Sequence, residues 1–280
     1  MKPNLPICCP PEAFNLLKSQ LPTLETSDSL LNGAMAISMI TLEDVAPELA
    51  DAKIQGYADM ILSRVRGEQP QAALAHLHAL LFEEEGFVGN LDDYYGSANS
   101  YLPVVLETKR GLPITLSLIY KLVAERIGLD VWGIGLPGHF MAGVKAPHEG
   151  TAMIVDCFSA GRILTVPECH DRLRDLFGDE TEWSDDFLDP ISYRHWLTRM
   201  LQNLLRVFGA NDQYAQVASV LEMEMLLWPD QEHLKRDLAL VLARIGMAQP
   251  ASAWLDVYLE KNPDDPNRLD LEQLRAVLLT

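Results

Sequence analysis

The pattern of apolar and polar positions predicts helices over most of the first hundred residues. Residues 27–40 form an apolar stretch that opens with Ser and Asp, both of which favour helix starts. Residues 52–66 and 70–82 place apolar side chains every three or four positions, as an amphipathic helix does. This part of the chain is therefore expected to be a helical layer.

The period of the pattern changes in the centre of the chain. Leu112 and Pro113 open an apolar stretch that predicts a helix, because proline fits the first helical turn, and Gly128 suits the C-terminal cap. Three strand-like segments follow: 130–135, 140–145 and 152–158. A further short strand is expected within 161–165. A helix followed by consecutive strands predicts an α+β layer.

From Ser192 onward the pattern is helical again, and part of it repeats. The tripeptides Trp-Pro-Asp at 228–230 and Asn-Pro-Asp at 262–264 lie 34 residues apart, and each follows an amphipathic helix. Gly246 lies where the turn between paired helices is expected. A 34-residue helix–turn–helix period ending in proline is typical of tetratricopeptide repeats. Because fewer than three units are visible, the repeats are expected to pack on the α+β domain.

These patterns divide the chain into three predicted parts. Residues 1–26 are an N-terminal segment whose order the sequence leaves open. Residues 27–190 are the α+β domain, and residues 191–280 are the all-α helical domain. A chain of 280 residues is long enough to give each domain a core of its own.

Charge and cysteine usage exclude several classes of partner. The chain is acidic, with a net charge of −18, so neither nucleic acid nor a membrane surface is expected to bind it. No apolar run is long enough for a signal peptide or a membrane span, which predicts a cytoplasmic protein. The four cysteines show no repeated Cys-x-x-Cys spacing, and no His or Cys pair has matched ligand spacing. No metal and no other cofactor is therefore expected.

Candidate catalytic residues lie in the central segment. His139 opens one predicted strand, and Asp156 lies on the next. A nucleophile at a helix start, a His on a following strand and an acid on the next would form the triad of a cysteine hydrolase. The helix start near residues 111–115 contains no thiol, so whether the protein is an enzyme depends on that missing group.

Three other residues near this segment carry a thiol or hydroxyl that could serve as the nucleophile: Cys157, Thr115 and Ser117. Cys157 adjoins Asp156, and because neighbouring side chains on a strand face opposite ways, its thiol is expected in the core. Thr115 lies in the first turn of the helix and is a weak candidate, since its hydroxyl could instead bond back to the backbone. Ser117 is weaker still.

Three residues near the helix start are candidate cleft residues: Arg110, Pro113 and Asn99. Arg110 could hold an anion beside the helix N-terminus, although a salt bridge to Glu107 is equally compatible with the sequence. Asn99 could equally cap or bridge local backbone.

Together these motifs resemble the bacterial SirB family. The matching segments occur in order with suitable gaps: 86–102, 110–116 (Arg-Gly-Leu-Pro-Ile-Thr-Leu), 137–140 (Pro-Gly-His-Phe), 156–161 and 201–204 (Leu-Gln-Asn-Leu). The resemblance covers roughly residues 30–275. It implies a papain-like or transglutaminase-like core, with a nucleophile helix packed on a small antiparallel sheet, followed by C-terminal tetratricopeptide repeats.

The resemblance also implies roles for individual residues. Active transglutaminase-like enzymes begin the helix with Gly-x-Cys, and Pro113 occupies that cysteine position here, whereas His139 and Asp156 match the other two triad members. The SirB family itself usually has proline there. It commonly has Asp-Pro-Phe where this chain has Asp-Cys-Phe at 156–158.

The favoured hypothesis is a non-catalytic or relic protein that binds a protein or peptide partner through its cleft and its repeats. The alternative is a hydrolase or acyl-transfer enzyme in which His139, oriented by Asp156, activates water. A third hypothesis is a scaffold whose repeats alone bind the partner. The sequence identifies neither the partner nor the oligomeric state.

Overall fold

The computed structural model describes residues 4–67, 69–145, 152–178 and 180–279. The α-helices in these ranges are α1 (Pro11–Gln20), α2 (Ser27–Ser38), α3 (Pro47–Arg64), α4 (Pro70–His78), α5 (Leu102–Thr108), α6 (Pro113–Arg126), α7 (Val166–Phe177), α8 (Tyr193–Ala210), α9 (Tyr214–Leu227), α10 (Glu232–Arg244), α11 (Ala248–Lys261) and α12 (Arg268–Leu278). The strands are β1 (Val88–Gly89), β2 (Arg110–Gly111), β3 (Val131–Ile134), β4 (Met141–Lys145), β5 (Ala152–Asp156) and β6 (Arg162–Leu164). None of the helices in these ranges is both long and apolar enough to cross a membrane.

The strands β3 to β6 form an antiparallel sheet in which chain neighbours pair. Helix α6 packs on one face of this sheet, as part of the main apolar core. Helix α7 covers the other face, where Met141, Ile154 and Leu173 belong to a second, smaller apolar cluster. Because both faces are covered, the strands run apolar. The predicted α+β arrangement of a helix followed by consecutive strands is confirmed.

Helix α6 lies at the centre of the fold. Twelve consecutive residues beginning at Pro113 are buried, which explains why its apolar positions span a wide face. The buried side chain of Lys121 in this helix donates a hydrogen bond from Nζ to the carbonyl of Val131 at 2.5 Å. Pro113 takes the first helical position, and Gly128 follows the C-terminus with a φ of 82°, which favours glycine.

A short parallel pairing leads into α6. Strand β2 pairs with β1, with Val88 opposite Arg110, and the sequence did not predict either strand. The helix predicted over 70–82 is divided into α4 and a π-helical turn at Ala79–Glu84. Strand β2 ends at Gly111, two residues before the first residue of α6.

The C-terminal helices pack in sequence, each on the next from α8 to α12. Helix α11 begins and ends 34 residues after α9. The residues that follow the two helices have nearly the same backbone angles, with φ −132° and ψ 68° at Trp228 and φ −123° and ψ 67° at Asn262. The 34-residue period of the sequence is therefore also a period of the backbone.

The N-terminal segment connects the two parts of the molecule. Helix α1 packs on α2 and α9, and α2 packs on α8, where Gly33 leaves room for the side chain of Leu197. The backbone N–H groups of Ile7 and Cys9 each donate to the Glu222 carboxylate of α9 at 2.7 Å. Residues 1–3 of the predicted segment 1–26 lie outside the described part. The predicted division of the chain into three parts stays a prediction.

Candidate ligand-binding cleft

A cleft of about 460 Å³ opens where the start of α6, the turn before β4 and one face of α8 meet. Its walls combine aromatic rings with cationic and amide side chains. The lining residues are Tyr94, Tyr95, Gly96, Leu112, Pro113, Ile114, Gly138, His139, Phe140, Phe177, Arg199, Gln202, Asn203, Arg206, Val207, Ala210 and Asn211. The cleft therefore contains Pro113 and His139 but is shaped as much by α8 as by the α+β core.

Pro113 lies in this cleft at the first position of α6. Proline carries no side-chain donor, acceptor or nucleophilic atom, so this position contributes only shape. The weak nucleophile candidate Thr115 does not line the cleft, because it is fully buried in the core and its hydroxyl has no hydrogen-bond partner. The structure gives no support to Thr115 as a nucleophile.

His139 follows a tight turn and precedes β4. Its backbone N–H donates to the Leu136 carbonyl at 3.0 Å, and Gly138 in the turn has a φ of 69°. The Nε2 atom of His139 lies 3.0 Å from Oδ1 of Asp156, the last residue of β5. The two side chains of the predicted pair are therefore in contact, at the edge of the cleft.

Asp156 is completely buried and has a full set of partners. Its Oδ1 accepts the backbone N–H of Phe158 at 3.1 Å, and its Oδ2 accepts the hydroxyl of Ser159 at 2.8 Å. Arg172 of α7 places Nη1 2.5 Å from Oδ2. Burial raises the pKa of Asp156, but the hydrogen bond and charge of His139, the charge of Arg172 and the Ser159 hydroxyl together lower that pKa below its usual value.

Arg172 is a site residue that the sequence did not reveal. Its Nη1 lies 2.7 Å from Nε2 of His139 as well as beside Asp156. The same ring nitrogen thus faces a carboxylate and a guanidinium. In a working triad the carboxylate orients the His and stabilises the imidazolium that forms, whereas here Asp156 also forms an ion pair with Arg172.

Cys157 lies in the main core as predicted, although the reason differs: β5 ends at Asp156, and Cys157 begins a 3-10 turn. Its side chain is fully buried beside Ser117, and burial raises the pKa of the thiol well above its usual value. A thiol that stays protonated and lies outside the cleft is a poor nucleophile. Neither Cys157 nor Ser117 replaces the missing group.

Asn99 supports the cleft from behind. It is buried, and its amide nitrogen donates to the carbonyl of Asp93 at 2.5 Å while its amide oxygen accepts from Asn90 at 2.9 Å. These bonds hold the loop that carries Tyr94 and Tyr95. Asn99 is therefore a positioning residue for the cleft wall and does not line the cleft itself.

The predicted role of Arg110 in the cleft is not supported. Its side chain is exposed and does not line the cleft. The reason is that residue 110 pairs with Val88 in β2, two residues before the helix cap, so that it lies at the surface.

Two other arginines, Arg199 and Arg206 of α8, line the cleft instead. Arg199 donates from Nη2 to the carbonyls of Leu136 and His139, both at 2.9 Å, and its guanidinium lies 5.3 Å from the Phe140 ring centroid. Burial and the charge of Arg206 lower the pKa of Arg199. Across the described ranges, neither arginine has a carboxylate within 4.0 Å.

Metal-binding chemistry has no obvious place in this cleft. Among the described residues there is no group of three or more His, Cys, Asp or Glu side chains arranged to hold a metal ion. The cleft itself supplies one imidazole, two guanidinium groups and several amides. These groups suit hydrogen bonding to a ligand.

Comparisons with known proteins identify a family and several relatives of this chain. A family model described as the transglutaminase-like superfamily matches residues 48–202. A UPF0162 protein of Xylella fastidiosa is 32% identical over 244 residues, which cover 85% of each chain. A UPF0162 protein of Pasteurella multocida is 24% identical over 236 residues, 80% of this chain and 87% of the relative. F-box only protein 21 of Mus musculus is 26% identical over 253 residues, 79% of this chain and 39% of the relative.

No solved structure matches the chain. The region matched by the family model begins in α3 and ends in α8, so it includes Pro113, His139 and Asp156. The matched region also contains the antiparallel sheet of β3 to β6. The chain therefore belongs to the transglutaminase-like superfamily and groups with the UPF0162 proteins.

Proposed function

We propose that the protein is a non-catalytic member of this superfamily that binds a peptide segment of a partner protein in its cleft. The observation that carries the proposal is the position of Pro113. It begins the central helix and lines the same cleft as His139, whose Nε2 is paired with Asp156. Pro113 and His139 thus border the same cleft, and the proline side chain can form no covalent intermediate.

The surroundings of the His–Asp pair also support a non-catalytic role. An enzyme that activates water through His139 would use Asp156 to orient the ring. In this protein Arg172 contacts both His139 and Asp156, and the Asp156 carboxylate also accepts a hydrogen bond from Ser159. A buried network with this many partners fixes the ends of β4 and β5 and the position of α7 relative to them.

The cleft suits a short segment of chain. Its volume of about 460 Å³ falls in the range of ligand sites, and such sites combine apolar walls with a few placed polar groups. Tyr94, Tyr95 and Phe177 supply the apolar walls, while Asn203 and Asn211 supply amide groups. Amide side chains can pair with the backbone groups of an extended peptide.

The C-terminal helices extend the proposal to a second surface. We propose that α8 to α12 form a tetratricopeptide-like array that holds a larger part of the partner, because their backbone repeats every 34 residues. Membership of the SirB family and a cytoplasmic location belong to the same proposal. A water-activating hydrolase is the alternative that the experiment must reject.

The test is a peptide-amide hydrolysis assay on wild type and on Pro113→Cys. We expect no turnover by wild type, and we expect Pro113→Cys to gain turnover that His139→Ala then removes, since a thiol at a helix start is readily ionised. Pro113→Ala is the matched control and should stay inactive. Turnover by wild type that His139→Ala abolishes would overturn the non-catalytic assignment.

A further inference from the structure

We propose that Arg199 and Arg206 form a carboxylate-binding site in the cleft, which selects peptides that bear a free carboxylate. The proposal rests on the peptide-binding function proposed above and names the chemistry of its ligand. These two residues are called the arginine pair below.

Helix α8 presents the arginine pair on one face. The two residues are seven positions apart, which is close to two helical turns, and Gln202 and Asn203 lie between them on the same wall of the cleft. The opposite face of α8 packs in the core through Leu197 and Leu204. The cationic face of α8 is therefore aimed into the cleft by the packing of the apolar face.

Arg199 is held in a fixed orientation. It donates to two backbone carbonyls, which are neutral acceptors, and its guanidinium lies over Phe140. These contacts hold the group in place without neutralising its charge. A fixed guanidinium loses little side-chain entropy when a ligand binds, so it is suited to recognising a carboxylate.

Arg206 lies at the exposed side of the cleft. Its Nη2 donates to the amide oxygen of Asn203 at 2.9 Å, again a neutral acceptor. Its charge reaches both walls, since it adds to the effect of burial in lowering the pKa of Arg199 and opposes the larger rise that burial gives the pKa of Tyr94. The side chain is positioned to contact a ligand that lies along α8.

The charge balance of the chain makes the arginine pair unusual. The sequence has 40 acidic residues against 22 lysines and arginines, yet within the described ranges no carboxylate comes within 4.0 Å of either member. Burial and the charge of Arg206 both lower the pKa of Arg199, so the two like charges repel each other. An anion between them would relieve that repulsion and form charge-assisted hydrogen bonds.

The overall charge also limits which anion can bind. A net charge of −18 opposes the long-range approach of nucleic acid, so the site must recruit its ligand at short range. The aromatic walls next to the arginine pair favour an apolar group beside the carboxylate. A peptide with an aromatic residue and a carboxylate meets both requirements.

The experiment is an NMR titration of the full-length protein with three small probes. They are N-acetyl-Phe-Ala with a free C-terminal carboxylate, the same dipeptide as its C-terminal amide, and N-acetyl-Phe-Glu amide, which carries only a side-chain carboxylate. We expect the amide of Gly96 and the Nε–H groups of Arg199 and Arg206 to shift with a probe that carries a carboxylate. Binding should be at least about ten-fold weaker for N-acetyl-Phe-Ala amide.

Variants separate the arginine pair from general charge. Arg206→Gln should weaken binding of the free-acid probe about ten-fold, whereas Arg110→Gln should leave it unchanged, since Arg110 is exposed and outside the cleft. Whichever of the two carboxylate probes binds more tightly identifies the source of the carboxylate.

The outcomes distinguish this inference from the proposed function. If the free acid and its amide bind equally, or if Arg206→Gln has no effect, the carboxylate site is overturned while peptide binding stands. If none of the three probes shifts the cleft signals, the carboxylate site and peptide binding in the cleft fail together.

Discussion

Two buried carboxylates, one beside the cleft and one among the C-terminal helices, are in opposite electrostatic states. Asp156 is surrounded by donors from His139, Arg172 and Ser159, and its pKa is lowered despite complete burial. Glu224 of α9 is almost as buried, but its Oε1 has no hydrogen-bond partner and Asp237 lies nearby. Burial and, secondarily, the charge of Asp237 raise the pKa of Glu224 to about 7.

The difference shows that partners decide the charge of a buried carboxylate. Glu222 is an intermediate case, because three backbone N–H groups lower its pKa while burial raises it by more. At Asp156 the donors from charged and ring groups lower the pKa by more than burial raises it. At Glu222 the backbone donors alone lower the pKa by less than burial raises it. The cleft side therefore holds a permanent charge, and the helical side holds a carboxyl group that titrates near neutral pH.

Removing Asp156 should have the largest effect. Asp156→Ala leaves Arg172 and His139 without their buried partner, and we expect it to lower the free energy of unfolding by about 4 kcal/mol. Urea unfolding at pH 7 measures the change. Asp175→Ala, at an exposed position on the same helix as Arg172, is the control and should differ little from wild type. A cost at Asp156 no greater than the control's would contradict the network.

Neutralising Glu224 should act in the opposite direction. Its raised pKa means that the folded state holds the proton more tightly, so stability falls as pH rises from about 4.5 to about 7. Glu224→Gln removes this penalty, and we expect a gain of up to about 3 kcal/mol at pH 8 but little gain at pH 4. Urea midpoints at both pH values provide the measurement.

The matched control for this prediction is Glu260→Gln, at an exposed position on α11. It should not change the pH dependence. Equal stability of wild type and Glu224→Gln at pH 8 would show that Glu224 finds a partner in solution.

Replacing Arg172 should have a smaller effect and should move the pKa of Asp156. Arg172→Gln removes the charge that lies 2.5 Å from Oδ2, and we expect a loss of about 2 kcal/mol at pH 7. The lowered pKa of Asp156 gives stability that is lost as pH falls through that value. In Arg172→Gln the acid loss should therefore begin at higher pH.

The ¹³C shift of the Asp156 carboxyl group, followed against pH, gives this pKa directly. Arg174→Gln, two residues along α7 and paired with Asp171, should leave the titration unchanged. An identical Asp156 titration in both variants would rule out a role for Arg172.

Removing the Ser159 hydroxyl should have the smallest effect. Ser159→Ala deletes one donor to Oδ2, to which Arg172 still donates, so we expect a loss of about 1 kcal/mol. Thermal unfolding resolves a change of this size. A loss as large as that of Asp156→Ala would mean that the hydroxyl, and not the arginine, keeps the carboxylate charged.

The parts of the site that follow from local pattern could be predicted from the sequence. Pro113 begins α6 because proline fits a first helical turn. Cys157 is buried as predicted, but it begins a 3-10 turn after the end of β5, so strand alternation is not what places it there. The contact between His139 and Asp156 then follows from pairing β4 with β5. Each of these arguments uses residues that are close in sequence or on adjacent strands.

The rest depends on how helices pack at a distance, which periodicity does not encode. Arg172, Arg199 and Arg206 reach the site from α7 and α8, and their sequence context resembles that of any surface arginine on an amphipathic helix. From local sequence Arg110 was the better candidate for a cleft cation, because it lies just before a helix N-terminus. In the structure it belongs to β2, and its side chain is exposed at the surface. The amphipathic pattern shows which face of α8 is buried but not that the opposite face lines a cleft.

The link between residues 7–9 and Glu222 also determines when the fold can be completed during synthesis. The donors leave the ribosome first, but their acceptor lies 215 residues after Ile7. At usual elongation rates that separation corresponds to on the order of 10–40 seconds. Until α9 emerges, the first residues have only water to bond. The N–H groups of residues 7–9 can therefore reach this acceptor only after Glu222 has been synthesised, and a nascent chain stalled before Glu222 would leave them without it.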